Sequence, residues 1–314
     1  MKAKTIKAVI RKKVDAWIAS IEDENIRKML NENVIVTGGC IASMLLREPV
    51  NDFDVYFKTK ACAEVMAKYY VSRFKPKNRN GIECLMTVDV QEDRVGVVIR
   101  SAGIASEDGT EKAYEYFEAQ PEGAAGEYVA GVMDDAGEIA DMQEEMEEAA
   151  NQVDDREHTS RFRPVFMSTH AITLSDKVQI VLRFFGEPDA IHENYDFVHC
   201  TNYWTSWDNS LVLRQQALES LLSRELRYVG SRYPICSLIR LRKFIKRGWT
   251  VNAGQILKMV MQVNELNLKD LKVLQDQLTG VDAAYFCEVL SRLNDKDPEK
   301  VNAAYLVEII DRMF

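Results

Sequence analysis

The sequence predicts an α+β protein, a mixed sheet with helices followed by an all-helical C-terminal domain. Over residues 34–212, short apolar runs of strand length alternate with amphipathic stretches of helical spacing. From Leu213 to Phe314 the apolar positions recur only at helical spacing. A chain of 314 residues, 46% hydrophobic and 28% charged, is long enough to bury two cores of ordinary composition. The expected first domain is 1–212, interrupted by an acidic insertion at 104–158, and the second is 213–314.

The elements follow in order. Ile6, Val9, Ile10, Val14, Trp17 and Ile18 define one face of an N-terminal helix. Val34–Val36 and Phe53–Phe57 read as strands, with a helix over Ile41–Leu46 between them. Ala61–Phe74 is a helix, and "CLMTVDVQ" and "RVGVVIRSA" form a hairpin. Beyond the insertion, "RPVFMSTHAITL" and "KVQIVLRFF" are strand-like, Pro188–Asn194 is a short helix, and "YDFVHCTNYW" reads as a further strand. Six helical runs complete the chain, from "QQALESLLSRELRYV" to "AAYLVEIIDRMF".

Composition excludes several classes. No run of 18 apolar residues offers a membrane span, and the basic N-terminus lacks the apolar core and cleavage site of a signal peptide. The expected location is the cytoplasm. Cys40, Cys62, Cys84, Cys200, Cys236 and Cys287 are scattered without a Cys-x-x-Cys pair, so neither a zinc knuckle nor a disulfide framework is indicated. Only four histidines argue against a zinc enzyme. The net charge of −9 is unevenly spread: residues 104–158 carry −16, leaving +7 elsewhere. That insertion is either a solvated acidic segment or a polyanion mimic that masks a basic groove or binds a protein.

The chemistry lies in "VTGGCIASMLLREPVNDFDVYF", Val36 to Phe57. Aspartate is depleted in strands, yet Asp52 and Asp54 flank Phe53 in one. Alternation along a strand places the two carboxylates on one face, roughly 6.6 Å apart, and turns Phe53 and Val55 into the core. Two carboxylates so placed repel unless a cation lies between them, and hard cations such as Mg²⁺ take oxygen ligands together with water and phosphate. Gly38 and Gly39 open a helix, where a phosphate can approach the backbone closely and meet N-terminal N–H groups. Together these residues form a compact expected site for a metal and a triphosphate.

This constellation resembles the DNA polymerase β-type nucleotidyltransferase superfamily, and within it the tRNA nucleotidyltransferases (CCA-adding enzymes) and bacterial poly(A) polymerases. The spacing from Gly38 to Asp54 is kept without a gap. Ala42 and Ser43 stand where that subfamily has Arg-Asp. The chain also resembles nucleotidyltransferase-like proteins of large phage genomes, which would place it in the host cytoplasm. The resemblance implies a polymerase β-like catalytic domain that binds two Mg²⁺ ions and an NTP such as ATP, and that transfers a nucleoside monophosphate to a hydroxyl with release of pyrophosphate. Asp52 and Asp54 would be metal ligands, with Gly38, Gly39 and Ser43 at the phosphates. A third carboxylate is expected on a neighbouring strand. Asp196 in "NYDFVHC" is preferred for it over Asp89 in "MTVDVQE", which lies in an edge hairpin. His199 and His170 are read as packed.

A weaker resemblance lies in "YPICSLIRLRKFIKRGWTV", where Pro234, Leu238, Arg242, Gly248 and Trp249 match the helix after the catalytic domain of CCA-adding enzymes. Cys236 and Ile239 replace arginines there. Between Arg214 and Arg247 nine basic residues face two acidic ones, and Arg240, Lys243 and Arg247 share a helical face. This is either a solvated basic face or a track for RNA phosphates. The preferred acceptor is an RNA 3′ end, tRNA-like. A protein side chain or second nucleotide, or an inactive scaffold binding through the insertion, are the alternatives. Trp204 and Trp207 are read as buried hairpin aromatics rather than base-stacking platforms.

Overall fold

The computed structural model describes residues 1–74, 84–101, 161–167 and 170–268, with positions 270, 273 and 277 beyond them. The acidic insertion and the last two helical runs expected in the C-terminal domain lie outside the described residues. The chain opens with helices α1 (Ala3–Ala19) and α2 (Glu24–Asn33), the second capped by the Asp23 carboxylate, which accepts from the Asn25 and Ile26 amides. Then come β1 (Val34–Thr37), α3 (Gly39–Leu46), β2 (Phe53–Phe57), α4 (Lys60–Val71) and the pair β3 (Cys84–Val90) and β4 (Val95–Ser101). After the insertion follow β5 (Pro164–Met167), β6 (Ala171–Leu174), β7 (Val178–Phe185), α5 (Pro188–His192), β8 (Tyr203–Thr205) and β9 (Ser210–Val212). Helices α6 (Gln215–Ser223), α7 (Pro234–Lys246) and α8 (Ala253–Asn264) complete the described chain.

Seven strands form one mixed sheet in the order β5-β6-β7-β2-β1-β8-β9, while β3 and β4 pair separately. β2 lies at the centre, antiparallel to β1 and parallel to β7, so the α+β expectation holds. Alternation decides which face each residue serves. Val34, Val36, Phe53, Val55, Phe57, Val178, Ile180 and Leu182 enter the main core with Ile6, Ile10, Val14 and Trp17 of α1, Ile41 of α3, and Met66 and Tyr70 of α4. Val9, expected on the same helical face, is 38% exposed. The opposite face carries Ile35, Thr37, Asp54 and Tyr56, and α5 covers part of it through Ile191. A second cluster joins Ala42 of α3 to Phe197, Leu221, Leu226, Tyr228, Leu241, Trp249 and Met259, tying α3 to the helical segment.

Three sequence expectations are corrected. "RPVFMSTHAITL" is two strands, β5 and β6, paired as a hairpin. The run "QQALESLLSRELRYV" stops being helical at Ser223: Arg224 takes φ 50°, its amide returns to the Leu221 carbonyl, and Glu225 and Tyr228 make isolated bridges instead. "YDFVHCTNYW" is a strand only at its end. Its first part is a bend at Asp196, a bridge from Phe197 to Tyr228, and a 3₁₀ turn over Val198–Cys200. The reason is a competing backbone partner. The Val198 amide donates to the Arg227 carbonyl and the Val229 amide to the Asp196 carbonyl, so the segment pairs with the 227–229 loop rather than with the sheet.

Candidate functional site

Asp54 stands in β2 and Asp52 just before it, both half-buried and on the face away from the main core. In register, Asp54 is flanked by Thr37 on β1 and Gln179 on β7. The Gly38 turn lies against this pair. Gly38 has φ 93°, a conformation side chains rarely adopt, and a β-carbon there would stand 2.6 Å from Asp54 Oδ2 and 3.5 Å from the Tyr195 hydroxyl. Gly39 differs: it begins α3, and a β-carbon added to it meets nothing within 4 Å. The first glycine thus admits the carboxylate, and the second leaves open space at the helix N-terminus. Ser43 lies one turn further along α3 and is half-buried.

The turn is fixed from outside the strand. The Gly38 amide donates to the Cys200 carbonyl at 3.2 Å, and Thr37 Oγ1 donates to the Asn202 carbonyl at 2.8 Å. His192 Nε2 lies 2.8 Å from the same hydroxyl. These bonds draw residues 195–202 onto the site, which is how Asp196 arrives there from a bend rather than from a strand. Its Oδ2 accepts from Arg240 Nη1 at 2.7 Å, and its Oδ1 accepts from the Phe197 amide at 3.1 Å. Asp89 is elsewhere: it is exposed on the separate β3–β4 pair, with its carboxylate accepting from Gln91.

Electrostatics distinguish the carboxylates. Burial raises Asp54 well above the ordinary carboxylate range, the neighbouring Asp52 raises it further, and Arg240 opposes both. Burial also raises Asp52, against the pull of Lys243, Lys177 and Arg247. The helical face read as an RNA track therefore turns toward the aspartates. Arg240 binds Asp196, and Lys243 and Arg247 lie within electrostatic reach of Asp52 while remaining exposed. Lys177 was not singled out in the sequence. It occupies the β6–β7 turn at φ 60°, and its carbonyl accepts from the Phe53 amide at 2.8 Å, which brings it beside Asp52. The "SDK" turn between two strand-like runs was the available signal.

His192 and His199 are packed. His199 is 2% exposed, with ring centroids 4.8 Å from Phe244 and 4.4 Å from Trp249, and burial lowers it to about 4. His170 lies 2.8 Å from Arg183 Nη1. Trp204 is fully buried, whereas Trp207 is half-buried under the Lys58 ammonium, 4.7 Å from its ring centroid.

The donor set suits a hard cation in part. Two half-buried carboxylates on a shared face, the first raising the proton affinity of the second, are matched by a divalent ion with oxygen preference. The third carboxylate is already engaged by a guanidinium, and among the described residues no three His, Cys, Asp or Glu side chains are grouped to hold a metal. No helix among the described residues is long and apolar enough to cross a membrane.

Fold and site together define an α+β protein whose mixed sheet presents an aspartate pair to a Gly-Gly helix start, with Lys243, Lys177 and Arg247 acting on Asp52. The chain belongs to the Gabija anti-defense 2 (Gad2) family, which it matches over residues 8–224. It is similar to Gabija anti-defense 2 of Bacillus phage SPbetaL7, with 22% identity over 123 residues, 38% of this chain and 31% of that protein. Among solved structures it is similar to a CCA-adding enzyme in complex with CTP, at 13% identity and a TM-score of 0.42, covering 95% of this chain and 51% of that one. The Thermotoga maritima CCA-adding enzyme complexed with tRNA gives 11% and 0.36, covering 84% of this chain and 49% of that one. The chain thus spans about a third of the length of its curated relative and about half that of the enzymes.

Proposed function

We propose that this protein is a Mg²⁺-dependent nucleotidyltransferase serving phage anti-defense, which moves a nucleoside monophosphate from an NTP to a hydroxyl and releases pyrophosphate. The observation that carries the reading is the placement of Asp52 and Asp54 on one face beside Gly38, with Lys243, Lys177 and Arg247 around Asp52. Asp52 and Asp54 would hold Mg²⁺, which stabilises charge on the phosphates in flight. The open space at Gly39, the N-terminal amides of α3 and the Ser43 hydroxyl receive the triphosphate tail. Lys243, Lys177 and Arg247 offset its charge. Tyr195 and Tyr56 wall the buried side of Asp54 and restrict water there.

The acceptor we favour is an RNA 3′ end, because Arg242, Lys243, Lys246 and Arg247 stand exposed on or beside α7, and Lys243 and Arg247 act electrostatically on Asp52. The test is incubation of the purified protein with each α-³²P NTP and with bulk tRNA, with protein from a phage host, or with neither. Mg²⁺-dependent label on RNA supports the reading. Label on protein moves the acceptor to a side chain, label in a small molecule moves it to a second nucleotide, and no transfer by wild type with any NTP overturns the activity.

A further inference from the structure

The third carboxylate expected at this site, Asp196, is ion-paired with a guanidinium. Each of its oxygens accepts one hydrogen bond, Oδ2 from Arg240 at 2.7 Å and Oδ1 from the Phe197 amide at 3.1 Å. The side chain is only 13% exposed, so water does not readily replace these partners. The backbone is committed as well, since the Asp196 carbonyl accepts from the Val229 amide. The Arg240 side chain is 41% exposed, and its backbone is held by its helix. On α7, Leu241 packs into the cluster of Phe197 and Trp249, and Phe244 meets Phe197 edge-on with centroids 5.5 Å apart.

The segment that carries Asp196 touches the Gly38 turn. Tyr195, the residue before Asp196, places its hydroxyl against the same point of the Gly38 turn that Asp54 Oδ2 touches. The Cys200 carbonyl, at the end of the turn that follows Asp196, accepts from the Gly38 amide. Arg240 acts electrostatically on Asp54. The charges then decide the occupancy. Asp52 and Asp54 carry two negative charges, which one divalent ion neutralises. A second divalent ion beside Asp196 would meet the fixed charge of Arg240, a repulsion that grows as water is excluded.

We infer that the site binds one divalent cation per nucleotide, on Asp52 and Asp54, and that Arg240, clamped by Asp196, supplies the positive charge that a second metal would otherwise bring. This rests on the nucleotidyltransferase reading and departs from the three-carboxylate, two-metal arrangement that the resemblance implies. Asp196 is then a positioning residue, acting through Arg240.

The test is equilibrium dialysis of the full chain with Mn²⁺ and a non-hydrolysable NTP analogue, reading retained Mn²⁺ per retained nucleotide. The expected ratio is one for wild type and one for Asp196→Asn. Arg240→Gln, which keeps a donor for Asp196 but removes the charge, is expected to raise the ratio to two. A wild-type ratio of two overturns the inference while leaving the nucleotidyltransferase reading intact. A ratio that stays at one in folded Arg240→Gln overturns the role given to Arg240. Nucleotide retention by neither protein overturns both the reading and the inference. Should Arg240→Gln not fold, the wild-type ratio alone decides between one metal and two.

Discussion

Asp54 Oδ2 occupies the space where a side chain at Gly38 would begin, 2.6 Å from the ideal β-carbon position. The carboxylate and the glycine are therefore one unit: the strand can present an aspartate toward the helix start only because residue 38 has no β-carbon. The φ of 93° adds a second reason for glycine at the same position.

Replacing the two glycines separates these effects. Gly38→Ala is expected to cost about 1–3 kcal/mol of stability from backbone strain and crowding, and to abolish transfer because Asp54 must shift. Gly39→Ala has room and an ordinary φ, so its melting temperature should equal or exceed wild type. If the triphosphate lies against that amide, KM for the NTP rises at least tenfold. Thermal melts and initial rates over a range of NTP concentrations check both.

The aspartate pair is held at a cost to folding. A group whose pKa is raised in the folded state stabilises below its unfolded pKa and loses that contribution as pH rises through the raised value. Asp52 and Asp54 both lie on this side, so their ionisation weakens the fold toward neutral pH. Asp54→Asn should raise stability at pH 7 by on the order of 1–3 kcal/mol while removing Mg²⁺-dependent transfer. Mg²⁺ should stabilise wild type and leave the variant unchanged. Urea titrations with and without Mg²⁺ report this, and an unaltered transfer rate in Asp54→Asn sinks the site assignment.

Much of this was legible in one stretch of sequence. Glycine pairs and strand aspartates each violate local propensity, and the spacing from Gly38 to Asp54 left few structures able to satisfy both. The Phe53 and Val55 alternation gave the core face correctly. Asp196 lies in a bend that pairs with the 227–229 loop and not in the sheet strand expected for it, because apolar-aromatic patterning cannot distinguish a sheet strand from a segment that pairs with a distant loop. The basic face of α7 was seen as a face, but what it faces is decided by the packing of Phe197 and Trp249, 52 residues apart in sequence. Lys177 depends on strand register, which one sequence does not disclose.

Acid should act on the histidines in the opposite direction to the aspartates. Burial lowers His192 and His199 to about 4 from an ordinary 6.5. A depressed pKa gives stability present above 6.5 and lost as pH falls toward 4, worth roughly 3 kcal/mol at most for each ring. In wild type the aspartate pair masks part of that loss. In Asp54→Asn the loss should be steeper between pH 6.5 and 4, and in His199→Phe, which keeps the stack on Phe244 and Trp249, shallower. Guanidinium melts at four pH values decide it, and parallel pH profiles for all three proteins count against the burial argument.

The acidic insertion gives the last prediction, and charge alone carries it. Residues 104–158 hold −16 in a chain of −9, and they are tethered between β4 and β5 of a protein whose α7 exposes Arg242, Lys243 and Lys246, with Arg247 next to it. A tethered polyanion competes with nucleic-acid phosphates at high effective concentration. Replacing residues 104–158 with a short Gly/Ser linker should therefore tighten binding of labelled tRNA at least several-fold at low salt. The advantage should shrink as salt rises, because both the tether's attraction and the RNA's are screened over about 10 Å at 0.1 M. Fluorescence anisotropy at two salt concentrations measures this. Equal affinities at low salt make the insertion a bystander to RNA binding, and weaker binding after deletion means that it builds the substrate surface instead.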